Sequence, residues 1–442
     1  MMELETKIEK VYDLLKKRSI NEFEVYGSAT DTIRAESKEC AMGSLSTSRE
    51  SGIGIRLIMD GAMGFAYGAD ADESLVSSAI TSARYQFKDH HNQLPQRQHE
   101  YDHVDIFDDD VRRLTAEECI ARAVRLEQSA RDADSRIHNV RKASFSRTVS
   151  RIIITNSHGV GASATLTFAS TSTMVMAKQG DDNQSGYEFD YSHHLSDIDV
   201  ERVGRQAAKR ATDMLLAKRM QTAKLPVLFD NTTTAQMLEF ISEAFIGENV
   251  IKGKSFVGDK LGKKYFSSEV SLADDPLDSR GADACPFDGE GVRSRKTVLV
   301  DNGTIFAFVY DSYWGNVAGK SSTGNSMRGG YRAMPTLGIR HLCMEPGNED
   351  MAQNLKGLKR VLKITDIMGM HTANPITGEF SVGVSGMLMD EGAMLHPVRE
   401  AAIAGNIYDL FSRVIAVGTD VREFGSVLCP SVLIDAIDVS AQ

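Results

Sequence analysis

The chain of 442 residues carries 50 Lys and Arg against 61 Asp and Glu, which gives a formal charge of −11 and a pI of about 5.5. Hydrophobic residues make up 42% and charged residues 25%, a balance that supports large cores and excludes a disordered chain. The acidic surplus argues against direct nucleic-acid binding, because phosphate backbones require clustered Lys and Arg.

The cellular compartment can be predicted from three features. The acidic start at residues 1–5 lacks the basic beginning of a signal peptide. The uncharged segment 152–177 is too rich in Ser and Thr for a membrane helix. The five cysteines are far apart and never form a C-x-x-C pair, as expected of reduced thiols. We therefore expect a cytoplasmic protein with no membrane partner.

The first hundred residues predict helices and a β-hairpin. Apolar residues at helical spacing over 8–15 predict an amphipathic helix, and residues 23–26 predict a strand. Asp60-Gly61 lies between two apolar runs, which predicts a hairpin with a type I′ turn. Asp70, followed by Glu73, has the pattern of a capping box and predicts the start of a second helix.

The next hundred residues continue this alternation. Thr115, with Glu118 three residues later, predicts another helix, after a polar surface connection at 89–110. Segment 152–177 predicts two strands joined at 156–159. A polar turn region at 180–192 and a helix at 197–219 follow, and the basic cluster before Pro226 indicates a boundary near residue 222.

From residue 225 the sequence predicts short strands with only two helices, at 233–246 and 351–361. Asp301-Asn302-Gly303 and Asp390-Glu391-Gly392 predict hairpins. Strands that are not separated by helices favour antiparallel pairing. The predicted fold class is α+β: an N-terminal domain (1–222) of helices packed on an antiparallel sheet, and a C-terminal domain (223–442) that is mostly antiparallel sheet or barrel.

The string His99-Glu100-Tyr101-Asp102-His103 matches H-E-x-x-H, which on a helix would bind zinc and activate water. It lacks a helical apolar stripe and lies in the polar connection, so we interpret it as a solvated loop. The other histidines, among them His341, have no ligand at metal-binding spacing and are read as structural residues. Ser385 sits in an incomplete G-x-S-x-G and is read as a turn residue.

Four ordered blocks in the second half resemble a known family. These are Phe287-Asp288-Gly289-Glu290-Gly291-Val292, Thr323-Gly324-Asn325, the run 374–386 (NPITGEFSVGVSG), and Pro397-Val398-Arg399-Glu400 with Ile403-Ala404-Gly405-Asn406. They are similar to the signature blocks of the TldD/PmbA family, and the hairpin at 52–68 resembles its first domain. The resemblance implies metallopeptidases, also called modulators of DNA gyrase, that act on small or unfolded polypeptides.

The resemblance also places the family's metal motif. TldD-type members carry H-E-x-x-x-H on a helix early in the second domain, whereas PmbA-type (TldE) members lack it and pair with a TldD chain. Here the motif falls on residues 239–244, where Glu239 and Ala244 occupy the histidine positions and Phe240 the general-base position. We therefore expect no catalytic residue and no metal ligand at this motif, and no cofactor. Cys429 is read as a buried strand residue.

The resemblance predicts a PmbA/TldE-like subunit that helps form a peptide-binding cleft, with a TldD-type chain or a second copy of itself as partner. Its glycine- and hydroxyl-rich loops at 321–330 and 377–385 are the predicted lining, although each glycine could instead serve a tight turn. Two alternatives stay open: a self-sufficient zinc peptidase with His99 and His103 or scattered ligands, and a homodimeric peptide-binding scaffold. The candidate peptide-binding residues are Thr323, Gly324, Asn325, Arg328, Gly329, Gly330, Thr377, Gly378, Ser381 and Ser385.

Overall fold

The structure, a computed structural model, describes residues 2–98, 100–348 and 350–441. The elements of the first half, in chain order, are α1 Met2–Lys17, β1 Glu22–Lys38, β2 Ala41–Met59, β3 Ala62–Gly68, α2 Glu73–Arg84, α3 Asp109–Arg113, α4 Ala116–Asp132, β4 Ile137–Asn156, β5 Gly161–Gln179, β6 Asp182–Ser192 and α5 Val200–Asp213.

Six long antiparallel strands form the sheet of the first half, in the order β3-β2-β1-β4-β5-β6. The turn between β2 and β3 has positive φ at Asp60 and Gly61 (49° and 81°), which confirms the predicted type I′ hairpin. Helices α1 and α2 bury their apolar faces against β1 and β2. Helices α4 and α5 pack on the part of the sheet that contains β4 and β5.

The second half begins with a strand and a helix and continues with many short strands. Its elements are β7 Ala223–Phe229, α6 Asn231–Ser242, α7 Gly247–Ile251, β8 Leu272–Asp274, β9 Thr297–Asp301, β10 Thr304–Ile305, α8 Ser312–Ala318, β11 Ser326–Met327, β12 Thr336–Leu337, β13 Leu342–Met344, α9 Met351–Asn354, β14 Val361–Met368, β15 Glu379–Asp390, β16 Ala393–Asn406, α10 Ile407–Ser412, β17 Val414–Val417, β18 Arg422–Phe424, β19 Val427–Cys429 and β20 Val432–Ala441.

Strands β16-β15-β14-β7-β20 close into a five-stranded barrel, because β20 also pairs with β16. A second sheet has the order β10-β9-β8-β13-β19-β18. Pairing is antiparallel except for β7 with β14 and β13 with β19. Helix α6 contributes Met237, Leu238 and Ile241 to a core shared by the barrel and the second sheet. The α+β class and the antiparallel barrel are therefore confirmed.

Several predicted boundaries were wrong in the first half. Helix α2 is capped by Asp72, whose carboxylate accepts the Leu75 N–H at 2.9 Å, so the cap lies two residues after Asp70. Segment 180–192 contains strand β6 rather than only turns. The helix predicted at 197–219 covers 200–213, and the left-handed Leu216 (φ 59°) follows its end.

Two further predictions need correction. The helix predicted at 351–361 is only the four-residue α9, because the chain turns at Gly357 (φ 82°) and enters β14 at Val361. The connection at 89–110, predicted to lie at the surface, ends in the first residues of α3 and is partly buried. Val104 and Ile106 are buried at the boundary between the two halves, and Tyr101 packs edge-on against Phe287.

Candidate functional site

Helix α6 and the 3-10 turn after it carry Glu239, Phe240 and Ala244, the residues to which the resemblance assigns the metal motif. Asp230 caps the helix by accepting the Thr233 N–H at 3.0 Å. The α-helix ends at Ser242, so Ala244 lies in the following 3-10 turn, where it is 1% exposed within the core. Phe240 packs against that core, and the exposed Glu239 approaches Gly425 in the turn between β18 and β19. None of these three side chains is an imidazole or a thiolate, the usual zinc ligands.

Thr323, Gly324 and Asn325 form a loop that is held by its own chain. The Thr323 hydroxyl donates to the Asn325 Oδ1 at 2.7 Å and accepts the Tyr310 N–H at 2.7 Å. Asn325 is 1% exposed and donates to the carboxylate of Asp274. Gly324 has φ 81°, a conformation that favours glycine. The polar atoms of this loop position neighbouring residues.

Arg328 and Gly329 line a cavity of about 530 Å³ that lies between the two halves, hereafter the interdomain cavity. A Cβ on Gly329 would meet only Ala333 Cβ, at an ordinary contact distance of 3.8 Å. The adjacent Gly330 has φ 99° and serves the turn. The structure thus places two of the predicted peptide-binding residues directly on a concave surface.

The second group of predicted residues lies elsewhere, on the barrel. Gly378 has φ 80°, and its backbone packs against Tyr408 and Asn406. Asn406 donates to the Thr377 carbonyl at 2.6 Å. Ser381 and Ser385 lie in β15, opposite Ala404 of β16 and Asp366 of β14 respectively, so the interpretation of Ser385 as a turn residue was wrong. These residues do not line the interdomain cavity.

Four buried charges connect the two halves beside the cavity, and we refer to them as the buried ion cluster: Glu24, Arg56, Glu290 and Arg328. Arg56 donates to Glu24 and Glu290, each at 2.7 Å, and Arg328 donates to Glu24 at 2.6 Å. Each side chain is at most 4% exposed. Burial opposes ionisation of Glu24, but the Arg56 and Arg328 charges outweigh it and keep the pKa of Glu24 below its ordinary value.

The interdomain cavity combines an apolar wall with donors that lack protein partners. Ile152, Ile154 and Leu166 contribute the wall from β4 and β5. Opposite them, Ser326 Oγ and Arg328 Nη2 are buried polar atoms without a hydrogen-bond partner. A buried donor left unpaired costs about 1–3 kcal/mol, so an acceptor that reached either atom would recover this cost.

Asp288, from the first signature block, supports the floor of the cavity. Its carboxyl accepts the N–H groups of Glu290 and Val292 at 2.9 Å and that of Ser326 at 3.1 Å. Burial, reinforced by the nearby Glu290 charge, raises the pKa of Asp288 to about 7. Asp288 of the block Asp288-Gly289-Glu290-Gly291 (DGEG) therefore holds the loop in shape and is also an ionisable group beside the cavity.

A further group of ionisable side chains assembles around His341, and we call Asp278, His341, Cys343 and Glu423 the His341 cluster. Atoms of Asp278, His341 and Cys343 lie within 4.8 Å of one another, and His341 Nε2 lies 3.0 Å from the Glu423 carboxylate. Burial disfavours the imidazolium, but Cys343 and Glu423 outweigh it and raise the pKa of His341 to about 11.

The His341 cluster is connected to the predicted peptide loop through one buried carboxylate. Asp274 accepts the backbone N–H groups of Arg340 at 2.9 Å and His341 at 2.7 Å, as well as the Asn325 amide. Arg340 in turn lines the interdomain cavity. The sequence interpretation treats His341 as isolated, because Cys343 is its only cluster neighbour close in sequence and Asp278 and Glu423 come from distant parts of the chain.

The remaining histidine candidates lie at the surface. His99 of the H-E-x-x-H string is outside the described residues, whereas Glu100 and His103 are exposed and lie in irregular chain. Asp89, His90 and His91 lie close enough to share an ion, and the Asp89 carboxylate accepts the Tyr313 hydroxyl at 2.8 Å. This second grouping contains no thiol.

Comparison with the profiles of known domain families identifies the family of this chain. Three consecutive domain profiles match: PmbA/TldA metallopeptidase domain 1 over residues 24–83, the central domain over 109–215 and the C-terminal domain over 222–441. The chain belongs to the PmbA/TldD family. The first two profiles cover the halves of one continuous sheet, β1–β3 and β4–β6.

Individual proteins of known name and solved structures are also similar to this chain. It is 29% identical to the metalloprotease PmbA of Escherichia coli O157:H7 over 330 residues, which are 74% of this chain and 71% of the relative. A candidate modulator of a DNA gyrase from Thermotoga maritima superposes with a TM-score of 0.90 at 26% identity, covering 99% of this chain and 100% of that one. TldE from Thermococcus kodakarensis shares the fold, with a TM-score of 0.88 at 21% identity over 98% and 100%.

Proposed function

We propose that this chain is the PmbA/TldE-like subunit of a two-chain metallopeptidase and that it contributes peptide-binding surface to a TldD-type partner in the cytoplasm. The substrates would be small or unfolded polypeptides. The five cysteines are free thiols, and no helix in the described part of the chain is long and apolar enough to cross a membrane.

The observation that carries the proposal is the chemistry of α6. Zinc hydrolases need lone pairs from imidazole, thiolate or carboxylate and a base that accepts a proton from water. Alanine at position 244 has no ligand atom, and phenylalanine at 240 cannot accept a proton. The sequence contains no histidine between His194 and His341, so a shift of register on this helix restores no imidazole pair.

The interdomain cavity supports the peptide-binding role. Its volume is in the range of about 300–1,000 Å³ that is typical of ligand sites, and its wall would accept apolar side chains. The unpaired Ser326 and Arg328 donors suit a main-chain carbonyl, which every peptide offers. Because such contacts do not read a particular side chain, they fit varied unfolded sequences.

The direct test mixes purified chains. We expect the lone protein to leave an unfolded polypeptide intact, and an equimolar mixture with a TldD-type chain from the same organism to cleave it in a chelator-sensitive way. Size-exclusion chromatography should show a joint complex. Chelator-sensitive cleavage by the lone chain would support the self-sufficient zinc peptidase, and a stable homodimer that ignores the TldD-type chain would support the scaffold alternative.

The cavity can be tested separately with a bulky residue at Gly329. Gly329→Phe places a ring at the cavity and should lower kcat/KM of the mixed complex by about tenfold or more, because the peptide loses its site. The matched control is Gly161→Phe, at a glycine where an added Cβ would have nothing within 4 Å. Equal activity of the two variants would remove the cavity from the proposal.

A further inference from the structure

We propose that the His341 cluster is a binding site for a thiophilic divalent cation, zinc by preference, at the boundary between the two halves. Its ligands would be Cys343, His341 and Glu423, with Asp278 as the fourth. Its ligands come from the loop after β8, from the start of β13 and from β18 rather than from α6, and its test does not depend on the proposed peptidase role.

The donor set and its spacing fit zinc. Cys343 Sγ lies 3.9 Å from His341 Nε2, and Nε2 lies 3.1 and 3.0 Å from the two Glu423 oxygens. Ligand atoms on a tetrahedral zinc with bonds of about 2.0–2.3 Å lie about 3.3–3.7 Å apart, so Asp278, His341 and Cys343, whose ligand atoms lie within 4.8 Å of one another, must close by up to about 1 Å. Glu423, which already contacts His341 Nε2, must move toward the ion with it. A thiolate together with an imidazole favours zinc over magnesium or calcium.

Two of the proposed ligands, His341 and Glu423, are oriented by contacts with residues outside the cluster. The His341 Nδ1 lies 3.1 Å from the Asp275 carbonyl, which can only accept, so Nδ1 carries a proton and Nε2 faces Glu423 and the proposed ion. The Tyr191 hydroxyl contacts the Gly425 carbonyl at 2.5 Å and lies 3.1 Å from a Glu423 oxygen, so it sits between this ligand and the β18–β19 turn. Partners of this kind orient ligands in metal sites.

Asp278 is available as the fourth ligand although Arg280 binds it. Arg280 Nε contacts Oδ1 at 3.0 Å, and Nη2 contacts Oδ2 at 2.5 Å. Oδ1 also accepts the Arg280 backbone N–H at 3.0 Å, so the ion can take Oδ2 when the guanidinium releases it, while Oδ1 keeps the backbone N–H. The Arg280 side chain is 60% exposed and can withdraw into water at little cost.

The cluster can be reached from solvent without being a surface patch. His341 is completely buried, whereas the side chains of Glu423 and Asp278 are 15% and 19% exposed. Cys343 is half-buried. A bound ion would join the loop after β8 to β13 and to the β18–β19 hairpin, which Tyr191 links to the first half.

Cobalt titration of the reduced, chelator-stripped chain tests the site. We expect one Co²⁺ per chain, a thiolate-to-cobalt charge-transfer absorption band, and loss of this band when Zn²⁺ is added. Cys343→Ser should abolish the band, and Glu423→Gln should weaken binding by about 10–100-fold. Cys40→Ser is the matched control, since Cys40 is half-buried but outside the cluster, and it should keep the band.

A second measurement needs no variant. Alkylation of individual cysteines is measured by peptide mass spectrometry. Zn²⁺ should slow the alkylation of Cys343 by about tenfold or more and leave the alkylation rate of Cys40 unchanged. A wild-type chain without the cobalt band, a band that persists in Cys343→Ser, or an alkylation rate of Cys343 that zinc does not alter would each overturn the proposal. None of these results depends on the TldD-type partner, so failure here is distinct from failure of the peptidase role.

Discussion

Among individual residues, Asp311 shows how the buried charges near the signature loop influence one another. It caps α8 by accepting the Trp314 N–H at 2.8 Å. Burial and then the Glu290 charge raise the pKa of Asp311 to about 6, from an ordinary 3.8. An ionised carboxylate at a helix N-cap is normally favourable. At Asp311 the low dielectric of the buried surroundings opposes this ionisation.

The raised pKa predicts a pH-dependent loss of stability. Between about pH 4 and pH 6 the folded chain retains a proton that the unfolded chain releases, so the free energy of unfolding falls as pH rises, and the loss is complete above pH 6. Asp311→Asn keeps the cap and removes this effect. The unfolding free energy of wild type relative to this variant should drop by on the order of 2–3 kcal/mol from pH 4 to pH 7 in urea titrations.

Asp109 provides the control with the opposite sign. Its hydrogen bond from Arg112 lowers the pKa of Asp109, so its contribution to stability is lost as pH falls. The difference between wild type and Asp109→Asn should therefore grow with pH. If Asp311→Asn followed the same trend, the account of a carboxyl destabilised by burial would be wrong.

Among the elements, strand β2 meets the loop that follows β11 at two glycines. A Cβ on Gly52 would lie 2.3 Å from the Tyr331 ring, and a Cβ on Gly54 would lie 2.4 Å from the Tyr331 carbonyl oxygen. The atom nearest to the Gly54 position belongs to the backbone, which cannot move aside as the end of a flexible side chain can. The close approach of Tyr331 is what brings the loop carrying Arg328 and Gly329 against the first half.

Gly54→Ala should therefore be destabilising by about 1–3 kcal/mol, the range for overpacking, and should lower the melting temperature. Gly68→Ala in β3 is the matched control, because its added Cβ would approach nothing nearer than Leu75 Cδ1 at 3.6 Å. We expect that control to be neutral or slightly stabilising. Scanning calorimetry compares the two, and similar melting temperatures would show that Tyr331 is free to move.

How much the sequence predicts also depends on the element. Turns such as Asp60-Gly61 and the capping box at Thr115 depend on residues close in sequence, and both were predicted correctly. Strand β6 was missed because its polar residues face partners far along the chain: Glu188 pairs with Arg210 and Arg422. The His341 cluster was missed for the same reason. Motif resemblance identified the DGEG block, but only the fold shows that it lies against Arg56.

Considered as a whole, the molecule is held together across its two halves by charge as well as by apolar contact. The buried ion cluster joins β1 and β2 to the loops that carry Glu290 and Arg328. Tyr26 and Phe287 lie in the apolar group beside it, and the Arg328 guanidinium lies 4.2 Å from the centre of the Tyr26 ring. We therefore expect the interdomain cavity to keep its shape only while the buried ion cluster and the apolar group hold the two halves in contact.

Removing one charge from this cluster should loosen the whole boundary. Glu24→Gln leaves Arg56 and Arg328 buried without their shared carboxylate, and breaking a buried pair costs about 3–5 kcal/mol. Glu36→Gln is the control in the same strand: its pair with Arg34 is exposed and is worth about 1 kcal/mol or less. Hydrogen exchange should accelerate in Glu24→Gln both in β1 and β2 and in the 287–292 loop, but in neither region in Glu36→Gln. Faster exchange on the β1 side alone would mean that the cluster stabilises the first half without coupling it to the second, and the cavity would then not depend on it.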